Sequence, residues 1–145
     1  MIRNEREYRI TKGAARRFEE TLALMARERA SSKLTPEKQK LVREAVLSQL
    51  EDLKNQVRAY ERLKSGRRRH LQAKSIEELA DVLIQARIAL GLTQKELAER
   101  LAVKEQQVQR YEATGYASAS LERLAAVTRA LGLAVTLSIP LPKAA

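Results

Sequence analysis

The chain has 145 residues, 28 Lys+Arg against 18 Asp+Glu, and a formal net charge of +10, a length suited to one ordinary domain or two very small ones. Five Gly and three Pro are too few for a turn-rich β-sandwich, while a composition 32% charged and dominated by Ala, Leu, Arg and Glu favours helices. The absence of cysteine excludes a disulfide scaffold, a thiol nucleophile and thiolate zinc sites. In chain order, Met1–Lys12 carries acids and no apolar core, so it does not read as a signal peptide, and no apolar run approaches the ~20 residues that cross a bilayer. Thr11 is expected to cap a first helix running to about Ala30, with Ala15, Phe18, Leu22 and Met25 along one face. Ser31–Leu34 makes a short connection. Thr35-Pro36-Glu37 then supplies a cap, a proline at the first helical position and an early acid. The second helix is expected to reach Lys64, with Val42, Val46, Leu50, Leu53, Val57 and Tyr60 close to a heptad seam. Joined by four residues, the two form an antiparallel hairpin with the longer helix overhanging. Such a hairpin buries little by itself, so its seam calls for a second copy, the C-terminal half, or another protein.

The positive charge is uneven. Residues 1–70 hold 19 basic and 10 acidic side chains, whereas residues 71–145 hold 9 and 8. Part of the surplus is the run Arg67-Arg68-Arg69 after Ser65-Gly66. Two readings stand: a solvated basic linker over 67–74, or an arm that touches phosphates or enters a minor groove, which attracts arginine.

The second half changes texture to short helices between turns. Ser75-Ile76-Glu77-Glu78 reads as a capping box for a helix to about Leu90, stopped by Gly91. Thr93-Gln94-Lys95-Glu96 reads as another, opening a helix to about Leu101. Lys104–Ala113 is the next helix, and Ser118 is the expected cap of a last one ending near Leu131-Gly132. Leu133–Ile139 alternates apolar and polar residues, a strand pattern that would pair with its own copy or with Tyr8-Arg9-Ile10. The expected organisation is a hairpin over 1–66, a linker over 67–74, a bundle over 75–133, and a strand and tail over 134–145.

Two helices crossing through a tight turn need an apolar inner set and a small residue at closest approach. Leu97, Leu101, Val103, Val108 and Tyr111 provide the first, and Ala98 the second. Lys104, Glu105, Gln106, Gln107 and Gln109 are then left facing outward. Glutamine can pair bidentately with adenine, glutamate can accept from cytosine N4, and lysine can donate to guanine or phosphate.

With Gly91-Leu92-Thr93-Gln94, Glu96-Leu97-Ala98 and Val108-Gln109-Arg110-Tyr111-Glu112 in register, the segment from Ile76 to Leu133 resembles the Cro/cI-type (XRE) helix-turn-helix family. The resemblance implies a helix-turn-helix bundle of four to five helices over this segment; with the helical hairpin before it and the short C-terminal β-strand after it, the expected fold class is all-α. It makes Gln94–Leu101 the positioning helix and Lys104–Ala113 the recognition helix, with an ion pair between Arg87 and Glu112. Gln94, Lys95 and Arg110 are expected at phosphates, with Arg67, Arg68 and Arg69 as a further arm. Ala102 stands where the family has glycine, at a cost of about 1 kcal/mol in a left-handed conformation. Lys104 stands where it has a capping Ser or Thr.

The functional expectation is a cytoplasmic, nucleoid-associated bacterial or phage regulator that binds double-stranded DNA as a homodimer and represses transcription. The alternative is an operator-binding antitoxin whose hairpin neutralises a toxin. No catalytic, metal, cofactor or membrane signature occurs: His70 is the single histidine, and no GxSxG, GxxxxGK[ST] or HExxH pattern is present. Single-strand RNA binding lacks stacking platforms, with Tyr111 at a core position and Tyr116 isolated.

Overall fold

A computed structural model describes residues 1–67 and 70–141, and these contain six helices and no strand. The chain divides into two compact units, Met1–His70 and Leu71–Ala145.

The first unit is built from α1 (Glu5–Arg27) and α2 (Pro36–Lys64). At 29 residues and 1.5 Å per residue, α2 is about 43 Å long. Its start follows the local signals: Thr35 accepts from the Lys38 amide, and Pro36 occupies the first turn. The start of α1 differs from expectation. Asn4, not Thr11, is the cap, accepting from the Glu7 amide at 2.9 Å, while Glu7 returns a bond to the Arg3 amide at 2.8 Å. The signal was present as Asn4 followed three residues later by Glu7. The extra turns are held from α2: Tyr8 stacks on Tyr60 with ring centroids 5.2 Å apart, and Lys64 bonds Glu5 at 2.7 Å. That bond lowers the Glu5 pKa and raises that of Lys64. Further along, Lys54 meets Glu19 at 2.6 Å, so rising numbers on α1 meet falling numbers on α2, the antiparallel arrangement. The core is thin: Ala15, Leu50, Tyr60 and Leu63 are buried on the helices, whereas Leu24, Leu41, Val42 and Leu47 stay exposed. Val42 thus lies outside the buried part of the expected seam.

The second unit is a bundle of α3 (Ile76–Ala89), α4 (Gln94–Arg100), α5 (Glu105–Ala113) and α6 (Leu121–Ala130). Leu83, Ile84, Leu97, Val108 and Val127 are almost wholly removed from solvent, each contributing about 1.5–3 kcal/mol of hydrophobic stabilisation. Ser75 caps α3, but the expected box is incomplete: Glu78 accepts from the Lys74 amide at 2.7 Å rather than from Ser75. At α4 the box closes, with Thr93 and Glu96 exchanging bonds. The Thr93 backbone and hydroxyl donors lower the Glu96 pKa. The cap of α6 is Ser120, which accepts from the Arg123 amide at 3.1 Å. Ser118 sits too early, because the chain first continues past α5 through Gly115 and Tyr116, both at positive φ.

No strand forms over Leu133–Ile139 in the single chain, and of the two expected partners Tyr8-Arg9-Ile10 is ruled out, because it lies within α1. A strand needs a neighbour for its backbone groups, and none is found among the described residues. Val135, Leu137 and Ile139 are 47%, 72% and 81% exposed, as an alternating face without cover would be.

Candidate nucleic-acid interface

The geometry of the α4–turn–α5 unit begins at the end of α4. The Val103 amide donates to the Ala98 carbonyl at 3.0 Å and the Ala102 amide to the Glu99 carbonyl at 3.1 Å, the paired bonds of a Schellman cap. Such a cap requires a left-handed residue, and Ala102 supplies it at φ 52°. The corresponding position after α3 is Gly91 at φ 71°, so the same device occurs there without a Cβ. Lys104 then adopts an extended conformation at the cap of α5 and makes no side-chain capping bond. The turn geometry therefore survives both departures in sequence.

Below the turn, Leu97 and Val108 are fully buried and Ala98 nearly so, while Leu101, Val103 and Tyr111 are half-buried. The roll of α5 is also set by a polar lock. Arg87 on α3 makes a two-pronged contact with Glu112 at the end of α5: Nε to Oε1 at 2.5 Å and Nη2 to Oε2 at 2.7 Å. Both side chains are essentially inaccessible to solvent, at 3% and 0% exposure. Arg87 also donates through Nη1 to the Leu92 carbonyl at 2.7 Å, tying down the turn before α4. A fixed guanidinium fork matched to a carboxylate restricts the orientation of both helices.

Gln94 is where structure and sequence reading part. Its side chain is buried and its amide nitrogen donates to Glu112 Oε2 at 2.7 Å, making it the third member of the lock. The sequence expectation places this side chain at a phosphate; in the free chain it reaches a buried carboxylate that lies 18 residues away in sequence.

With Val108 and Glu112 inward, Lys104, Glu105, Gln106 and Gln109 are exposed and Gln107 is half-buried. Gln109 donates to Glu105 at 3.0 Å, one turn apart on the outer face. Lys95 on α4 and Arg110 on α5 are exposed as well. Arg67 is exposed in the other unit, and Arg68 and Arg69 lie outside the described residues. Two side chains escaped the sequence reading. Arg100 donates to the Ala130 carbonyl at 3.0 Å at the end of α6, satisfying an orphan acceptor there. Tyr116, read as isolated, is buried and stacks on Tyr111 with centroids 5.7 Å apart.

The arrangement is a rigid short helix with long amides, an ammonium and a carboxylate facing outward from a locked apolar base. It can present donors and acceptors along one edge. No group of three or more His, Cys, Asp or Glu that could hold a metal ion occurs among the described residues, and no described helix is long and apolar enough to cross a membrane. Residues 83–137 match the helix-turn-helix family model, a stretch that includes α4, α5, α6 and the second half of α3. No curated protein and no solved structure matches the chain.

Proposed function

We propose, from a chain whose residues 83–137 carry a Cro/cI-type helix-turn-helix of the DNA-binding regulators, that it is a sequence-specific repressor acting as a homodimer on duplex DNA. The observation that carries this is the outward ridge Lys104, Glu105, Gln106, Gln107 and Gln109 on a helix whose roll is held by Arg87 and Glu112. In a major groove, Gln106 and Gln107 suit adenine, and Lys104 suits guanine or a phosphate. Glu105 accepts from cytosine N4 and repels the backbone elsewhere, which favours selectivity over raw affinity. Lys95 and Arg110 flank the ridge as phosphate contacts, and the Arg67-Arg68-Arg69 run adds positive charge to the chain.

The C-terminal segment supports the homodimer. Leu133, Val135, Leu137, Ile139 and Leu141 form an apolar row symmetric about Leu137. Antiparallel self-pairing centred there sets Val135 against Ile139 and Leu133 against Leu141 of a second copy. If Leu137 occupies a hydrogen-bonded pair, Pro140 falls at a non-hydrogen-bonded position, where its missing N–H costs nothing. The chain has no cysteine, so Leu137→Cys gives a clean readout. Oxidation should link two copies across about 5.5 Å, within disulfide reach, whereas Ser138→Cys on the opposite face should not.

The main reading is tested by selecting bound duplexes from a random library and repeating the selection with Gln106→Ala. Loss of about 1–3 kcal/mol of preference confined to one base pair supports base reading; uniform weakening across all sequences rejects it. A second reading, an antitoxin, draws on the exposed Leu24, Leu41 and Val42 of the hairpin. It predicts a neighbouring reading frame whose expression is lethal without this chain.

A further inference from the structure

The side of α1 turned away from α2 is centred on a glycine ringed by arginines. Ala15 is buried and Tyr8 stacks on Tyr60, which fixes the inner side of the helix. At roughly 100° per residue, Gly13 lies about 160° round from Ala15, on the outer side. Its surface neighbours three and four positions away are Arg9, Ile10, Arg16 and Arg17, with Arg6 and Glu20 two turns out on the same face. All six of these side chains are exposed. Arg6, Arg9 and Arg17 make no salt bridge among the described residues. Arg16 meets Glu20 at 3.1 Å, but the two are 81% and 63% exposed, so the pair is worth little and exchanges easily. Glu5, one turn before Arg9, is already held by Lys64 at 2.7 Å. The face therefore sets four guanidinium groups against one loosely held carboxylate.

A glycine inside a helix weakens it relative to alanine. Neither conformation nor packing within the hairpin asks for one at position 13. Its φ is not positive, and an added Cβ would meet only the tip of Arg17 at 3.7 Å, an ordinary contact. That contact shows what the missing side chain permits. Arg17 folds back over the glycine, the direction in which helical side chains lean, and its guanidinium stays among the others. A long side chain at position 13 would fill that place.

We propose that this arginine face grips the phosphate backbone of duplex DNA, an anchor additional to α5 that rests on the DNA-binding reading of the second unit. Gly13 lets a phosphate settle between the guanidinium groups on either side of it. A protein partner would need apolar or aromatic anchors to bury, and Ile10 is the one apolar side chain of the six. A duplex needs only charge, and it carries one negative charge per about 1.7 Å of axis. From Arg6 to Arg17 the face extends about 16 Å, the length of about five phosphates of one strand. Such contacts position a protein without reading bases, so this face adds affinity on every sequence alike.

The test uses the full-length chain and a duplex oligonucleotide of about 20 base pairs of arbitrary sequence, long enough to cover such a face. Arg9→Gln, Arg16→Gln and Arg17→Gln together should flatten the slope of log affinity against log salt by about 0.9 per lost contact, up to about 2.7. They should also weaken binding at low salt at least about tenfold, for all duplexes alike. Lysine at the same three positions keeps the charge and should restore most of the slope. Gly13→Gln should raise the unfolding temperature and yet weaken the duplex, two opposite effects that a merely structural glycine does not give. An unchanged slope in the triple glutamine variant overturns the proposal. So does weakening confined to one sequence. A Glu-rich helical peptide that binds the parent chain more tightly than the duplex does at the same salt, and is lost in the same variant, overturns it in favour of a protein surface. Sequence preference in a duplex selection without an arginine-dependent slope rejects this anchor and leaves the repressor reading standing; an arginine-dependent slope without sequence preference does the reverse.

Discussion

Arg87 and Glu112, twenty-five residues apart in sequence, form a two-pronged ion pair sealed inside the helical bundle, and Gln94 completes it from the start of the intervening helix. Removing one partner leaves a buried charge unmatched. Arg87→Ala or Glu112→Ala should therefore each cost about 3–5 kcal/mol in denaturant unfolding. Arg87→Met with Glu112→Leu should recover most of that stability, because two buried charges of that kind gain little over packed hydrocarbon. If the pair sets the roll of α5, the stable double variant will still lose sequence discrimination in a binding selection.

Ala102→Gly should stabilise the protein by about 1 kcal/mol, since Ala102 sits at φ 52° and glycine enters that region without a Cβ clash. Thermal unfolding at fixed pH checks this. No gain would mean that the greater flexibility of glycine in the unfolded chain offsets the relief.

The two serines ahead of α6 should separate cleanly. Ser120→Ala removes the bond to the Arg123 amide and should cost about 1 kcal/mol. Ser118→Ala, which removes no cap, should stay within about 0.5 kcal/mol of the parent chain. Equal effects would place the helix start elsewhere.

Burial, reinforced by the nearby Glu112 carboxylate, pushes the Tyr116 hydroxyl well above its ordinary range. In the unfolded chain this phenol ionises near pH 10, while in the folded chain it keeps its proton. Above that pH the unfolded state binds fewer protons, so stability falls by up to about 1.4 kcal/mol per pH unit; below it the contribution is complete. Urea midpoints measured from pH 9 to 11 should fall more steeply for the parent chain than for Tyr116→Phe. Parallel curves would show that Tyr116 is not the group responsible.

Most helix boundaries were legible because their causes are local. Thr35-Pro36 fixes the start of α2, the Thr93/Glu96 exchange opens α4, and Gly91 ends α3 at positive φ; each acts within a turn or two of itself. The outward set on α5 was legible for a similar reason, as a 3.6-residue period with Val108 on its inner side separates the two faces. The start of α1 was misplaced although Asn4 and Glu7 mark it locally, because Thr11 offers a competing cap and the stack of Tyr8 on Tyr60, which favours the earlier start, joins residues 52 positions apart.

The sequence by itself determined a mainly helical chain with its positive charge concentrated in the first half, and a polar outer face on α5, since composition and periodicity act through short-range geometry. Only the tertiary structure decided that Gln94 turns inward to Glu112, that Tyr116 is buried against Tyr111, and that Leu133–Ile139 finds no neighbour among the described residues. Each of those outcomes depends on which distant group occupies the adjoining space. A buried polar atom takes whatever partner the fold brings within hydrogen-bonding distance, and a strand exists only where a second backbone comes to meet it.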